Sequence, residues 1–329
     1  MKSALAAPHL CNEEAAFAYV ESHFWPDGPV CPHCGTIDHS TKLKGKSTRP
    51  GLWKCRACRK PFTVRMRTIF ESSHVPMHIW LQAIYLICSS KKGISTRQIQ
   101  RTIGGSLKTA WFLMHRIRLA MDESGSGPLG GEGRIVESDE TYTVYKEGGP
   151  TWILHPEHGW QKQRSGEDRV PVVTLVERSG RARSHKAENV TAETLRGVVL
   201  GNVDTQSRLM TDELRAYRGI GRRFAGHDAV DHGEEEWART LADGIKAHTN
   251  TVEGFFSLLK RGLYGCYFHV SEAHLHRYLA EFDFRCSNRE RLGVNDADRA
   301  LRALTGSKGK RLTYQTTHSE RGGEKEIPL

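Results

Sequence analysis

Two pairs of cysteines near the start of the chain have the spacing of a metal-binding site. Cys31 and Cys34 form one C-x-x-C pair, and Cys55 and Cys58 form a second pair after twenty intervening residues. Each pair presents two thiolates from one tight turn, and Zn²⁺ takes four such ligands in a tetrahedron. Paired disulfides are the alternative, but disulfides are uncommon in a long chain that has no secretion signal. The spacing therefore predicts a zinc ribbon that holds one structural Zn²⁺ ion.

Three acidic residues further along the chain are candidates for a different kind of metal site. Asp139 ends one strand-like segment, Asp212 directly follows another, and Glu253 lies in the first turn of a predicted helix. Carboxylates suit Mg²⁺ or Mn²⁺, and two such ions can stabilise both the attacking and the leaving oxygen when a phosphodiester is displaced. Each acid also has a structural alternative, since Asp212 could be a helix cap and Glu253 could pair with a cap at Asn250. Spacing alone does not select these three residues from the 38 acids of the chain.

The predicted helix that carries Glu253 also carries a basic side chain on the same face. Glu253, Ser257 and Lys260 follow one another by four and then three residues, which places them in one row along a helix. Lys260 is therefore predicted to contact a DNA phosphate beside the metal ions.

The distribution of charge indicates a nucleic-acid partner. The net charge is +10, and the segment from Lys42 to Arg118 contains 17 Lys and Arg but a single acid, Glu71. The rest of the chain has 31 basic and 37 acidic residues, so the positive excess lies entirely in this segment. Such a block is typical of a surface that contacts phosphates and releases counterions, whereas an ordinary solvated surface would mix acids with the bases.

No apolar run is long enough to span a membrane, and a cytoplasmic protein is expected.

The elements that would position these residues can be read from caps and apolar spacing. The pattern predicts an N-terminal helix over 13–24, capped by Asn12, and three helices over 77–88, 96–103 and 106–121. Two glycines separate the last two helices, which is the arrangement of a helix-turn-helix. An ordinary helical hairpin is the alternative, and the charge of the segment favours DNA binding.

The last of these helices carries the predicted DNA contacts. Its apolar residues recur on one side, and Lys108, His115 and Arg116 lie opposite them, with Arg118 at the flank. We therefore expect Lys108, His115, Arg116 and Arg118 to form a basic outer face that enters the major groove.

Eight segments carry a more specific resemblance, and they occur in a fixed order. They are Cys-Pro-His-Cys-Gly at 31–35, Trp-Lys-Cys-Arg-Ala-Cys at 53–58, Lys-Thr-Ala-Trp-Phe-Leu-Met-His-Arg-Ile-Arg at 108–118, Glu-Ser-Asp-Glu-Thr-Tyr at 137–142, Thr-Asp-Glu-Leu-Arg-Ala-Tyr at 211–217, His-Thr-Asn-Thr-Val-Glu-Gly-Phe-Phe-Ser-Leu-Leu-Lys-Arg-Gly at 248–262, Tyr-Phe-His-Val-Ser at 267–271 and Leu-His-Arg-Tyr-Leu-Ala-Glu-Phe-Asp-Phe-Arg at 275–285. On these segments the chain resembles the bacterial and archaeal insertion-sequence transposases that have an N-terminal zinc ribbon, a helix-turn-helix and a DDE catalytic domain.

The resemblance implies both a fold and a reaction. The catalytic domain is expected to be an RNase-H-like α/β domain, a mixed sheet with flanking helices, in which Asp139, Asp212 and Glu253 bind two Mg²⁺ or Mn²⁺ ions. The implied function is a DNA transposase that binds the terminal inverted repeats of its element, cuts the DNA and joins the freed end to target DNA. The expected partners are double-stranded DNA and further copies of the chain, in the nucleoid of the cytoplasm. Two alternatives are a zinc-ribbon transcription regulator, which would not need the acids, and a domesticated RNase-H-like nuclease without strand transfer.

The predicted domains are an N-terminal helix (1–26), the zinc ribbon (27–70), an all-α helix-turn-helix domain (71–124), a flexible Gly-rich linker (125–133), the catalytic domain (134–305) and a disordered polar tail (306–329). The stretch 147–168, which contains Trp152, His155, His158 and Trp160, is longer and less basic than the family leads us to expect. A DNA-contacting insertion is one interpretation, and a loop that packs on the sheet is the one that we favour. His232 lies at a family-like position, where an active-site role and a structural role are both open.

Overall fold

The structure is a computed structural model, and it describes residues 3–45, 47–147, 152–156, 159–162 and 168–313. Within these ranges the chain divides into two compact units. The amino-terminal unit comprises residues up to 90, residues 94–121 and residues from 296 onward, and the sheet unit comprises residues 91–93 and 122–295. No helix in these ranges is long and apolar enough to cross a membrane.

The helices and strands of the described chain are as follows. The helices are α1 (Pro8–Cys11), α2 (Glu13–Phe24), α3 (Met77–Ser89), α4 (Thr96–Ile103), α5 (Leu107–Ala120), α6 (Ala192–Asn202), α7 (Arg215–Gly221), α8 (Asn250–Gly262), α9 (Leu275–Ser287) and α10 (Asp296–Thr305). The strands are β1 (Ser40–Lys42), β2 (Trp53–Cys55), β3 (Pro61–Phe62), β4 (Ile135–Tyr145), β5 (Trp152–His155), β6 (Gly159–Lys162), β7 (Arg169–Glu177), β8 (Ala182–Lys186), β9 (Arg208–Thr211), β10 (Gly226–Ala229), β11 (Arg239–Thr240) and β12 (Lys246–Ala247).

Local capping explains where the helices of the amino-terminal unit begin. The side chain of Asn12 accepts a hydrogen bond from the backbone N of Ala15 at 2.9 Å, which starts α2. Ser95 and Ser106 start α4 and α5 in the same way. These caps satisfy N–H groups that have no acceptor within the helix. The four helices predicted in this unit are confirmed, with ends that agree to within one residue.

The predicted basic outer face of α5 is wrong for three of its four residues. His115, Arg116 and Arg118 are buried, and only Lys108, in the first turn, is exposed. The Arg116 guanidinium donates to three backbone carbonyl oxygens, those of Ile69 (2.7 Å), Glu71 (2.9 Å) and Leu312 (3.0 Å). The second half of α5 therefore lies in the core of its unit. Part of its cover comes from the segment around Leu312, almost two hundred residues later in the sequence.

The carboxyl-terminal end of the described chain belongs to the amino-terminal unit. The catalytic domain was predicted to end at residue 305, but the sheet unit ends at Asn295. Helix α10 packs on α3, and Arg299 donates to the backbone O of Cys88 at 2.8 Å. The start of the predicted disordered tail is also packed, since the Lys308 ammonium donates to the backbone O of Phe24 at 3.0 Å. Residues 314–329 lie outside the described ranges.

A mixed five-stranded sheet forms the centre of the sheet unit. Its strand order is β10-β9-β4-β7-β8, in which β10, β9 and β4 are parallel, β7 is antiparallel to β4, and β8 is antiparallel to β7. The apolar run of β7 explains why both faces are covered, because successive side chains point to opposite faces. Val172 and Val176 pack in one cluster with α8 and α9, while Val173 and Leu175 pack in the other with α6 and α7.

The Gly-rich segment 125–133 is not a flexible linker. Leu129 is fully buried, and its backbone N donates to the O of Asn202 at 2.8 Å. Gly130 has a φ of +81°, and a Cβ there would lie 2.0 Å from the Ser207 hydroxyl. Gly130 thus permits close packing within the sheet unit, whose longer segment begins at Asp122.

The stretch predicted as a loop at 147–168 contains a hairpin. Strands β5 and β6 pair antiparallel, with Trp152 opposite Lys162. The indole of Trp152 is 57% exposed. His158 lies outside the described residues.

Candidate active site

The four predicted zinc ligands converge in a small three-stranded ribbon, β1-β2-β3. Their sulfur atoms all lie within 4.8 Å of one another, with Cys31 Sγ 3.6 Å from Cys58 Sγ and Cys34 Sγ 3.7 Å from Cys55 Sγ. Four thiolates around Zn²⁺ at about 2.3 Å have sulfur–sulfur separations of about 3.8 Å. A disulfide needs about 2.05 Å. The arrangement fits one tetrahedral zinc ion and does not fit two disulfides.

The sheet places two of the predicted catalytic acids side by side. Asp139 lies on β4, and Asp212 directly follows the parallel neighbour β9. The last recorded pair between these strands is Glu137 with Met210, so Asp139 and Asp212 each lie two residues further along. Glu253 comes from α8, which packs on β4.

A cleft of about 440 Å³ is lined by most of the residues that were predicted for the active site. Asp139, Glu253, Ser257 and Lys260 all line it. Its other lining residues are Glu140, Thr141, His232, Trp237 and Phe256. Asp212 is not among the lining residues, but its charge acts on Asp139. Within the described ranges, no group of three carboxylates is drawn as closely together as the four cysteines.

Burial and mutual repulsion raise the proton affinity of these carboxyl groups. Burial, together with the charges of Glu140, Asp212 and Glu253, raises the pKa of Asp139 to about 8, although the backbone N–H of Glu140 donates to it at 2.7 Å and lowers the pKa. Burial also raises the pKa of Asp212, and it raises that of Glu140 to about 7 although the Tyr217 hydroxyl donates to Glu140 at 2.8 Å. A divalent cation would relieve this repulsion, so the donor set suits a hard metal ion.

His232 lines this cleft. Its Nε2 is 3.6 Å from Glu253 Oε1 and 3.4 Å from the Thr249 hydroxyl. Its ring stacks on Trp237 with 5.1 Å between centroids. The imidazole therefore contacts Glu253, one of the predicted catalytic acids, and the exposed aromatic side chain of Trp237.

Four of the residues that line the cleft were not predicted from the sequence: Glu140, Thr141, Trp237 and Phe256. Glu140 directly follows Asp139, so the motif contained a signal for a further acid. Trp237 lies in a polar segment without regular spacing and offered no signal, although its indole is 59% exposed at the cleft.

In the amino-terminal unit, exposed bases lie on α4 rather than along α5. Arg97 and Arg101 are exposed and four residues apart, while Ile99 is buried between them. Lys108 is exposed at the start of α5. The exposed bases of α4 and α5 are therefore these three, and further exposed bases lie in the ribbon: Lys54, Arg56, Arg59 and Lys60.

Comparison with known proteins gives transposase matches both for the zinc-ribbon region and for the sheet unit. Residues 11–61 match the transposase zinc-ribbon domain family, and residues 128–287 match the ISXO2-like transposase domain family. A protein of Halobacterium salinarum, described as "uncharacterized protein in transposable element ISH50", is 27% identical over 270 residues, which cover 79% of this chain and 86% of that protein. The crystal structure of the mariner Mos1 paired end complex with Mg aligns at 13% identity over 92% of this chain and 94% of the other, but its TM-score of 0.24 is too low to carry an argument.

Proposed function

We propose that this chain, which belongs to the insertion-sequence transposases with an N-terminal zinc ribbon, is an active DNA transposase. It would bind the terminal inverted repeats of its element, cut them and transfer the cut strand to target DNA. The observation that carries the proposal is the cleft in which Asp139 and Glu253 meet beside Lys260, with Asp212 aligned on the neighbouring strand.

The sheet supports an RNase-H-like catalytic domain. Three antiparallel strands, β8, β7 and β4, are extended by two parallel strands, β9 and β10. The positions of Asp139 on the central strand, of Asp212 after its parallel neighbour and of Glu253 on a later helix support the assignment of these three acids as the triad that the resemblance implies.

We propose that Asp139, Asp212 and Glu253 hold two Mg²⁺ or Mn²⁺ ions. These ions would stabilise the attacking and leaving oxygens of an in-line displacement at phosphorus. Lys260, on the face of α8 that carries Glu253, would contact the phosphate. His232 and Thr249 would orient the Glu253 carboxylate through their short contacts with it. Water, and later the freed 3′-hydroxyl, would attack directly, so no Ser or Tyr nucleophile is required.

The amino-terminal unit would supply DNA recognition. The ribbon would hold one structural zinc ion, and the segment of α4 and α5 would present bases to DNA. Because helix-turn-helix proteins read bases with the first residues of the second helix, we propose that Lys108 enters the major groove and that Arg97 and Arg101 contact phosphates. Synapsis of two element ends would require further copies of the chain, so we propose a homo-oligomer on DNA in the nucleoid of the cytoplasm.

A cell assay tests this function. The inverted repeats that flank the coding sequence are placed around a marker on a donor plasmid, and the chain is expressed from a second plasmid. The proposal predicts excision and insertion of the marker with the wild-type chain and neither with Asp139→Asn. Excision without insertion would favour a nuclease that has lost strand transfer, and binding of the repeats without any cutting would favour a transcription regulator.

A further inference from the structure

Glu137 is a fully buried carboxylate two residues before Asp139 on β4. Its Oε2 accepts hydrogen bonds from the backbone N of Thr251 at 2.8 Å and of Val252 at 3.0 Å. Its Oε1 accepts from Arg178 Nε at 2.7 Å and from the Thr251 hydroxyl at 2.8 Å. A buried carboxylate is costly unless such donors surround it. Glu137 therefore joins β4 to the first turn of α8.

The cap of α8 explains why this bond is needed. The first N–H groups of a helix have no acceptor within the helix, and a threonine at the cap position normally accepts from one of them. At α8 the cap residue, Thr249, makes no such bond. Its hydroxyl instead donates to Glu253 Oε1 at 2.9 Å. The N–H groups that the threonine leaves are those that Glu137 binds.

The partner of Glu137 also fixes the chain that leads into α8. Arg178 donates from Nη1 to the backbone O of Lys246 at 2.7 Å and from Nη2 to the O of His248 at 3.0 Å. The His248 ring lies close as well, with Nδ1 3.2 Å from Glu137 Oε1. The pair Glu137–Arg178 thus holds both the approach to the helix and its first turn against the sheet.

We propose that Glu137 is a positioning residue of the active site, which sets the register of α8 against β4 so that Glu253 faces Asp139. Side chains two residues apart lie on the same face of a strand, about 6.7 Å apart. One strand therefore carries both the anchor of α8 and the acid that Glu253 must meet. The proposal rests on the proposed function, because it assigns Glu137 the task of placing a metal ligand.

The alternative is a buried ion pair that only stabilises the fold. Such a pair would change the free energy of unfolding but not the metal affinity of the folded protein. A positioning residue changes the metal affinity even at temperatures where the variant is fully folded. The two roles are therefore separable by measuring metal binding and helix anchoring in the folded state.

The test uses Glu137→Gln in the full, zinc-loaded chain. The substitution keeps the shape but turns one oxygen into an NH₂ group that faces donors. We expect faster hydrogen exchange at the backbone amides of Thr251 and Val252. We also expect a roughly tenfold weaker binding of Mn²⁺, measured by electron paramagnetic resonance, as is usual when the support of a metal ligand is removed. The matched control is Glu177→Gln, which changes another buried glutamate, on β7, that pairs with Arg134 away from the cleft; it should leave both readings unchanged.

A second variant covers the case in which Glu137→Gln does not fold. Thr251→Val removes the hydroxyl that donates to Glu137 Oε1 at 2.8 Å and so weakens the link from Glu137 to α8 without removing the buried ion pair, and Thr251→Ser keeps this hydroxyl. Weaker Mn²⁺ binding in the valine variant, with recovery in the serine variant, is the expected result.

The outcomes distinguish this inference from the proposed function. Mn²⁺ binding by the wild-type chain that is equally tight in Glu137→Gln, or in Thr251→Val if Glu137→Gln does not fold, would overturn the positioning role alone. A wild-type chain that binds Mn²⁺ no better than Asp139→Asn would contradict the metal site itself, and the proposed function with it.

Discussion

The raised pKa of Asp139 predicts that Asp139→Asn stabilises the sheet unit when no Mg²⁺ or Mn²⁺ is added. Burial and the neighbouring acids raise this pKa to about 8, from an ordinary value of 3.8. Between these two values the folded protein keeps the proton and the unfolded chain releases it, so stability falls as the pH rises from about 4 to about 8. Each pKa unit corresponds to about 1.4 kcal/mol, so the penalty at pH 7 is at most about 4 kcal/mol. Asparagine carries no charge to bury and escapes this penalty.

The assay is urea unfolding followed by pulsed hydrogen exchange of β7, which reports on the sheet unit alone. The difference in the free energy of unfolding between Asp139→Asn and wild type should be close to zero at pH 4 and should grow to a few kcal/mol by pH 7. Asp243→Asn is the control, because hydrogen bonds from Arg208 and from the backbone N of Ile245 lower the pKa of Asp243, and its loss should not stabilise. An asparagine variant that is less stable than wild type at pH 7, or a difference that does not change with pH, would refute the reasoning.

Three further predictions follow from the same structure. Mn²⁺ binding must displace the proton of Asp139, so Mn²⁺ affinity measured by calorimetry should rise about tenfold from pH 7 to pH 9 and should be flat if the pKa is ordinary. Replacing Cys55 by Ser should abolish stoichiometric zinc and unfold the ribbon, as seen by metal analysis and hydrogen exchange, and should leave the exchange of the sheet unit unchanged. Replacing both Arg97 and Arg101 by Ala should weaken DNA binding and reduce the steepness of the slope of log K against log salt concentration by about two, and an unchanged slope would show that α4 does not contact phosphates. Arg116→Ala should instead lower the melting temperature, because Arg116 donates to three backbone carbonyl oxygens in the core.

Local chemistry allowed the ribbon and the helix starts to be predicted from sequence. A C-x-x-C pair and a Ser or Asn cap act within a few residues, so the chain needs no distant partner to form them. Asp212 directly follows β9, as predicted, but Asp139 lies in the middle of β4 and not at a strand end, because the strand continues to Tyr145. The family resemblance, rather than their spacing, selected them from the other acids.

Long-range packing decided the features that the sequence did not reveal. The burial of His115, Arg116 and Arg118 depends partly on chain near Leu312, which no periodicity within α5 could indicate. Composition could not distinguish a flexible Gly-rich linker from one that needs glycine for close packing, as at Gly130. Glu137 looked like any acid in a strand, because its partners on α8 lie 114 residues or more away.

The central claim is that three carboxylates from β4, the end of β9 and α8 form one metal-dependent DNA-cutting site. The most direct test incubates the purified chain with labelled duplexes of the element end and Mg²⁺, and compares wild type with Asp139→Asn, Asp212→Asn and Glu253→Gln. The account predicts that all three variants bind the duplex as tightly as wild type but lose strand cleavage by at least a hundredfold. Cleavage at the wild-type rate by any one of them would contradict the account.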